Sequence, residues 1–264
     1  MIEVRSLKKY FPIKRGILRK TVGFVKAVDD ISFSIREGQT YGLVGESGCG
    51  KTTTGRLLLR LLAPDSGTVI YNGNNILNFT KERLRRLRRE MQVIFQDPFS
   101  SLNPRMNVRD IVSEGLLLHE NMTRAEVEKR CDRALEMVGL QSRCKWRYPH
   151  QFSGGERQRI GIARAIIMEP KFIVCDEPVS SLDVSIQAKI LKLLKDLKKT
   201  LNLTYLFIAH DLSIVANMCE RLAIMLNGKI VEEGPTDTVY MKPSHPYTKK
   251  LLKSIPVPDP RSRK

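Results

Sequence analysis

The sequence predicts an α/β protein with a mostly parallel sheet core, an N-terminal antiparallel β subdomain and an inserted α-helical subdomain. Apolar runs at Thr40–Val44, Lys171–Cys175 and Leu203–Ala209 are separated by helical stretches, the pattern of strands joined by right-handed crossovers. Ile2–Arg5 and Val28–Ile35 instead alternate apolar and polar residues, as strands buried on one face do. Between the first and second of the continuous apolar runs lies a segment, residues 99–155, that reads as helix.

Each element has its own justification. Pro12–Lys20 is a basic loop or extended hairpin between the first two strands. Thr68–Tyr71 runs into Asn72-Gly73, a tight-turn signal. In Lys81–Arg89, Leu84, Leu87 and Met91 share helical spacing, so the run reads as an amphipathic helix. Met91–Phe95 is a short apolar run stopped by Gln96-Asp97-Pro98, and Pro98 and Pro104 bracket a loop. Val108–His119 is helical. Thr123 with Glu126 fits a capping box, and Gly139 is placed to end that helix. Ser153-Gly154-Gly155 opens a helix running to Met168. Ile186–Leu201 is amphipathic, and Asn227-Gly228 turns a hairpin between Arg221–Leu226 and Lys229–Glu232. Pro246 begins a short helix, followed by a proline-rich tail at Ile255–Pro260.

Composition narrows the function classes. The chain has 264 residues and is 42% hydrophobic, with no apolar run long enough to span a bilayer and no apolar signal core after Met1. The expectation is an intracellular protein. Five scattered cysteines without a C-x-x-C pair argue against structural zinc and a disulfide framework. The net charge of +17 invites anionic partners without choosing among them. For the densest basic run, Lys81–Arg89, the first reading is a solvated face and the second an anionic membrane surface. Nucleic acid comes third, because no aromatic residues interleave the charges.

The chemistry gathers at strand ends. Gly45-Glu46-Ser47-Gly48-Cys49-Gly50-Lys51-Thr52-Thr53 fits G-x-x-x-x-G-K-[ST] between a strand and a helix. Glycines let successive N–H groups line one concavity, and the helix that follows adds the positive end of its dipole. Lys51 supplies a charge for the β/γ-phosphates, and the Thr52 hydroxyl is placed to bind Mg²⁺. Cys49, beside Lys51 at a helix N-terminus, is expected to have a lowered thiol pKa. Asp176 ends a buried strand and suits Mg²⁺, while Glu177 suits the orientation of an attacking water. Gln96 and His210 also end strands, where ligands of parallel sheets bind. Ser153-Gly154-Gly155 is a second anion site at a helix N-terminus, in the same molecule or across two.

Together these motifs resemble the ATP-binding subunit of an ABC transporter: Gly45–Thr52 (Walker A), Gln96 (Q-loop), Phe152-Ser153-Gly154-Gly155-Glu156 (signature), Phe172–Asp176 with Glu177 (Walker B), Ser181-Leu182-Asp183 (D-loop) and His210 (H-loop). They stand in the family's order and cover nearly the whole chain. More narrowly, Val93–Pro104 and Pro243-Ser244-His245-Pro246-Tyr247-Thr248 resemble the oligopeptide/dipeptide importer branch, and the basic N-terminal loop resembles the second of its two paired ATPase subunits.

The resemblance implies a P-loop NTPase (RecA-like) fold. Residues 1–98 and 156–243 would form the nucleotide-binding core with its β subdomain, 99–155 the helical subdomain, and 244–264 a C-terminal extension. It implies ATP and Mg²⁺ as ligands, with Tyr10 stacking on adenine. Thr52, Gln96 and Asp176 would serve the metal, and Glu177, His210 and Gln96 the hydrolysis. Ser153, Gly154, Gly155, Glu156 and Asp183 would meet nucleotide across a subunit boundary. Its partners would be a second ATPase subunit, either a homologue or a second copy, two integral-membrane permease subunits, and, indirectly, an extracytoplasmic solute-binding protein. The chain would sit peripherally on the cytoplasmic face of the cell membrane and power peptide import, with no nucleic-acid partner. The alternatives are a non-transport ABC ATPase acting on DNA or ribosomes, and an importer subunit for another solute such as nickel. Glu156 stands where the family usually has glutamine, adding a negative charge that Arg157 or Arg159 would offset. The sequence ends at Lys264 without the cysteine-containing extension of this branch, so no iron–sulfur cluster is expected in it.

Overall fold

Two sheets meet face to face in this computed structural model, which describes residues 1–16 and 20–253. In chain order the elements are β1 (Ile2–Arg15), β2 (Lys20–Ile35), β3 (Thr40–Val44), α1 (Lys51–Leu58), β4 (Ser66–Tyr71), β5 (Asn74–Asn75), α2 (Lys81–Glu90), β6 (Met91–Ile94), α3 (Pro98–Ser101), α4 (Val108–His119) and α5 (Arg124–Met137). After them come α6 (Gly154–Ile166), β7 (Phe172–Asp176), α7 (Val184–Leu201), β8 (Thr204–Ala209), α8 (Leu212–Met218), β9 (Arg221–Leu226), β10 (Lys229–Pro235), α9 (Thr236–Met241) and α10 (Pro246–Lys253). The proline-rich tail at 255–260 lies outside the described residues, as do residues 17–19 within the basic loop.

The antiparallel sheet has the order β2-β1-β4-β5. Its long hairpin pairs Ile2 with Ile35 and Arg15 with Lys20, so the basic loop is largely an extension of two strands. Asn72 and Gly73 both have positive φ, as the turn between β4 and β5 requires. The second sheet has the order β10-β9-β3-β8-β7-β6, parallel throughout except for the β9–β10 edge hairpin.

The period of two along the central strands divides their side chains between two cores. Leu43, Phe172, Val174, Leu206, Ile208, Ala223 and Met225 pack toward the antiparallel sheet and α1. Val44, Ile173, Cys175, Tyr205, Phe207, Leu222 and Ile224 pack toward α4 to α8. Every residue of β3, β7 and β8 is therefore buried, which is why these strands read as continuous apolar runs. Each large side chain so buried contributes about 1.5–3 kcal/mol relative to exposure. Phe33 stacks on Tyr41 at 5.2 Å between ring centroids and ties the two sheets together.

The helical insertion follows its local signals closely. Thr123 and Glu126 form the reciprocal capping box, and Gly139 has φ +74° just beyond the helix. One expectation needs correction. Met91 leaves the face it would share with Leu84 and Leu87, because α2 ends at Glu90 and Met91 starts β6 against Phe172. The basic face of α2 is exposed as expected, and two of its cations also make contacts. Arg89 pairs with Glu120 at 2.7 Å and Arg85 donates to the Leu118 carbonyl, so cations of α2 close the C-terminal end of α4.

Candidate functional site

The phosphate loop gets its shape from glycines with close neighbours. A Cβ on Gly45 would stand 2.2 Å from the Met225 carbonyl, and one on Gly50, at φ +111°, would stand 1.9 Å from the Ala27 carbonyl. A Cβ on Gly48, at φ +81°, would meet nothing within 4 Å, so that side of the loop is open. Ser47 and Gly48 are exposed and Thr53 is half-buried. The Lys51 ammonium, 4% exposed, donates to the Gly45 carbonyl at 2.7 Å and the Glu46 carbonyl at 2.9 Å.

Strand order brings the other groups to this loop. β7 lies two strands from β3, and its last residue, Asp176, accepts the Thr52 hydroxyl at 2.9 Å. Burial raises the Asp176 carboxyl above its ordinary range, with the Thr52 hydrogen bond opposing and Glu177 adding to the rise. Glu177 follows in the left-handed region at φ +46°, held by its N–H to the Ile208 carbonyl at 3.0 Å. A non-glycine residue in that region carries backbone strain of order 1–3 kcal/mol, characteristic of functional positions. The strain re-aims the Glu177 carboxylate. It accepts from Gln96 Nε2 at 3.1 Å, lies 3.0 Å from His210 Nδ1, and faces Lys51 Nζ at 3.9 Å. Lys51, Thr52, Gln96, Asp176, Glu177 and His210 thus form one connected cluster.

The donor set suits Mg²⁺. A hydroxyl and a carboxylate, both hard oxygen donors, converge at the start of α1, and no cluster of three or more His, Cys, Asp or Glu among the described residues forms a closed cage. Magnesium is commonly held in this way, by one or two protein oxygens together with phosphates.

Tyr10, on the antiparallel sheet, is linked to the loop through Asp29 and Gly228. Its hydroxyl donates to Asp29, Asp65 accepts its N–H at 2.6 Å, and the Lys26 ammonium lies over its ring at 5.5 Å. The Asp29 N–H donates to the Gly228 carbonyl at 2.8 Å, and the Gly228 N–H to the Cys49 carbonyl at 3.0 Å. Asp29 and Asp65 were missed in the sequence because nothing local marks them, and Gly228 was read there only as a turn residue.

The second anion site predicted from the sequence stands apart. Among the described residues, no hydrogen bond or ion pair joins Ser153–Glu156 to the phosphate loop. Gly155 packs so tightly on α7 that a Cβ would lie 2.6 Å from Ile186 Cγ2. Glu156 Oε2 accepts from both the N–H and the hydroxyl of Ser153 at 2.8 Å. These bonds hold the Glu156 carboxyl below its ordinary range, burial opposes them, and Arg147 and Arg159 assist. Of the two cations expected to offset that charge, Arg159 does so, while Arg157 is engaged elsewhere: it stacks on Phe99 at 3.8 Å and donates to the Pro149 carbonyl at 2.7 Å. Asp183 precedes α7 with no side-chain cap to its own helix, leaving its exposed carboxylate available.

Cys49 overturns its expectation. It lies beside Lys51, yet it is buried, and desolvation pushes its thiol up more than the ammonium lowers it. The motif's local geometry predicted the Lys51 effect but not the cover supplied by other elements.

Two family descriptions match the chain. Residues 28–180 match the ABC transporter family, and residues 231–264 match the oligopeptide/dipeptide transporter C-terminal region. The chain is 52% identical over 262 residues to the oligopeptide transport ATP-binding protein OppF of Bacillus subtilis, covering 98% of this chain and 84% of that one. It is 49% identical over 258 residues to the oligopeptide transport ATP-binding protein AppF of the same organism, covering 97% and 78%. Its backbone matches the ATP-binding cassette MJ0796 in a dimeric post-hydrolysis state bound to ADP and Pi. The TM-score is 0.77 at 27% identity, covering 89% of this chain and 99% of that one.

Proposed function

This chain belongs to the ABC transporter ATPase family, and from that premise we propose that it binds and hydrolyses ATP to power import of peptides through a membrane permease. The peptide assignment is supported by the names of its relatives and by the match of its C-terminal region. The observation that carries the catalytic reading is the Glu177 carboxylate, set by a strained backbone among Gln96, His210 and Lys51.

In this reading Lys51 and the loop N–H groups from Gly45 to Thr53 hold the triphosphate. Thr52 and Asp176, with Gln96, would hold Mg²⁺, which would supply positive charge to the phosphates during transfer. Glu177 accepts a hydrogen bond from the attacking water, and Gln96 and His210 hold that carboxylate in place. Tyr10 offers its ring to adenine. Ser153, Gly154, Gly155, Glu156 and Asp183 of one subunit complete the site of a second, homologous or identical subunit.

We assign residues 1–98 and 156–243 to the nucleotide-binding core, 99–155 to the helical subdomain and 244–264 to the C-terminal extension. The working assembly pairs two ATPase subunits with two permease subunits at the cytoplasmic face, fed by a solute-binding protein. No helix among the described residues is long and apolar enough to cross a membrane. The test is ATP-driven uptake of a labelled peptide in vesicles containing the permease pair, the second ATPase subunit and this chain. Uptake should need this chain and be lost with Glu177→Gln. Recovery of ribosomes or DNA instead of a permease on purification from native membranes would overturn the transport reading.

A further inference from the structure

The phosphate loop is gripped from a direction the nucleotide-binding motifs do not explain. Its first peptide unit joins Gly45 to Glu46. The Gly45 carbonyl accepts from Lys51 Nζ at 2.7 Å, and at the other end of the same plane the Glu46 N–H donates to the Tyr247 hydroxyl at 3.1 Å. A peptide plane moves as one unit, so the lysine and the tyrosine together define its orientation. Tyr247 belongs to α10, some two hundred residues away in sequence, and its ring is buried in the larger core.

The chain delivers Tyr247 there by a second fixed contact. A register irregularity between Ile230 and Glu232 in β10 accompanies a Glu232 carboxylate that accepts the Ser244 N–H at 2.8 Å and the His245 N–H at 3.0 Å. The Tyr247 N–H in turn donates to His245 Nδ1 at 3.2 Å. The segment Ser244-His245-Pro246-Tyr247 is thus pinned to the sheet edge and aims one hydroxyl at the loop.

We infer that Tyr247 is a positioning residue for nucleotide binding, through which the C-terminal segment sets the shape of the phosphate loop. A phosphate that draws the Lys51 ammonium competes with its carbonyl contacts, that at Gly45 among them. Tyr247 holds the other end of the Gly45–Glu46 plane independently of the lysine. Its hydroxyl therefore acts on nucleotide affinity more than on the chemical step. This inference rests on the nucleotide-site reading above.

The experiment compares wild type, Tyr247→Phe and Glu232→Ala in the full chain, measuring MgATP binding by calorimetry, steady-state hydrolysis and the melting temperature without nucleotide. Phenylalanine keeps the buried ring and removes only the acceptor. Its Kd and KM for ATP should rise about two- to ten-fold, the range of one neutral hydrogen bond, with kcat within about two-fold. Glu232→Ala, which leaves Tyr247 intact, should shift Kd in the same direction. An unchanged Kd in Tyr247→Phe, with or without a lower melting temperature, overturns the inference, as does a fall in kcat alone. Failure of the wild-type chain to bind MgATP would instead defeat the nucleotide-site reading, and this inference with it.

Discussion

The Lys51 ammonium lies 3.9 Å from Glu177 Oε1, both groups being almost wholly buried. The cation proposed for phosphate and the carboxylate proposed for water therefore share one field, and each conditions the other. At such a distance inside a protein the attraction is worth several kcal/mol before desolvation is counted.

Glu177→Gln separates their roles. It removes the group assigned to the attacking water and also a negative charge beside the phosphate-binding lysine. Hydrolysis should fall by about 10²–10⁴-fold, the range for losing a general base, while ATP affinity holds or tightens. Rapid-quench turnover and equilibrium binding on one preparation check both. Normal turnover would remove Glu177 from its role.

Glu156→Gln tests the unusual signature residue. Glu156 now engages the Ser153 hydroxyl that a partner's nucleotide would need. Glutamine can keep the capping box but accepts more weakly than a carboxylate. ATP-driven dimerisation should tighten several-fold in sedimentation. The melting temperature should drop slightly, because a negative charge is lost from the first turn of α6. Equal or weaker dimerisation would count against this competition.

Acid should loosen the helical insertion in part through Glu128. The Lys145 ammonium at 2.8 Å and Arg109 at 2.8 Å hold its carboxyl below the ordinary range, against some burial. A carboxyl lowered by folding adds stability above its unfolded pKa and loses it as pH falls through its folded value. Glu128→Gln should therefore destabilise the protein at pH 7 by on the order of 1 kcal/mol for a partly screened pair. The difference from wild type should shrink once pH passes below the usual glutamate range. Melting curves across pH read this directly, and a pH-independent difference would contradict it.

Cys49 should label slowly. All five cysteines are buried, and burial raises the Cys49 thiol despite Lys51 nearby. Maleimide should therefore modify Cys49 far faster in denaturant than in native buffer. Fast native labelling protected by ATP would restore the activated thiol that the motif alone suggested.

Much of the fold was legible because its signals are local. The capping box at Thr123, the turn glycines at Gly73 and Gly228, and the all-apolar runs of β3, β7 and β8 are short-range facts that the structure repeats. The misreadings have one cause. Met91 and Cys49 each behave according to neighbours distant in sequence: Phe172 across the sheet, and the elements whose cover desolvates the thiol.

The sequence by itself determined the strand–loop–helix cradle at Gly45–Thr53, the acidic strand end at Asp176-Glu177 and the capped helix at Ser153, because each depends on residues within one turn or one strand. Only the tertiary structure decided that Gln96, His210 and Lys51 converge on Glu177, that Asp29 and Gly228 carry Tyr10 to the loop, and that Tyr247 grips the Gly45–Glu46 peptide. Those contacts follow from sheet order and register, which long-range packing of two cores selects and which no local pattern encodes.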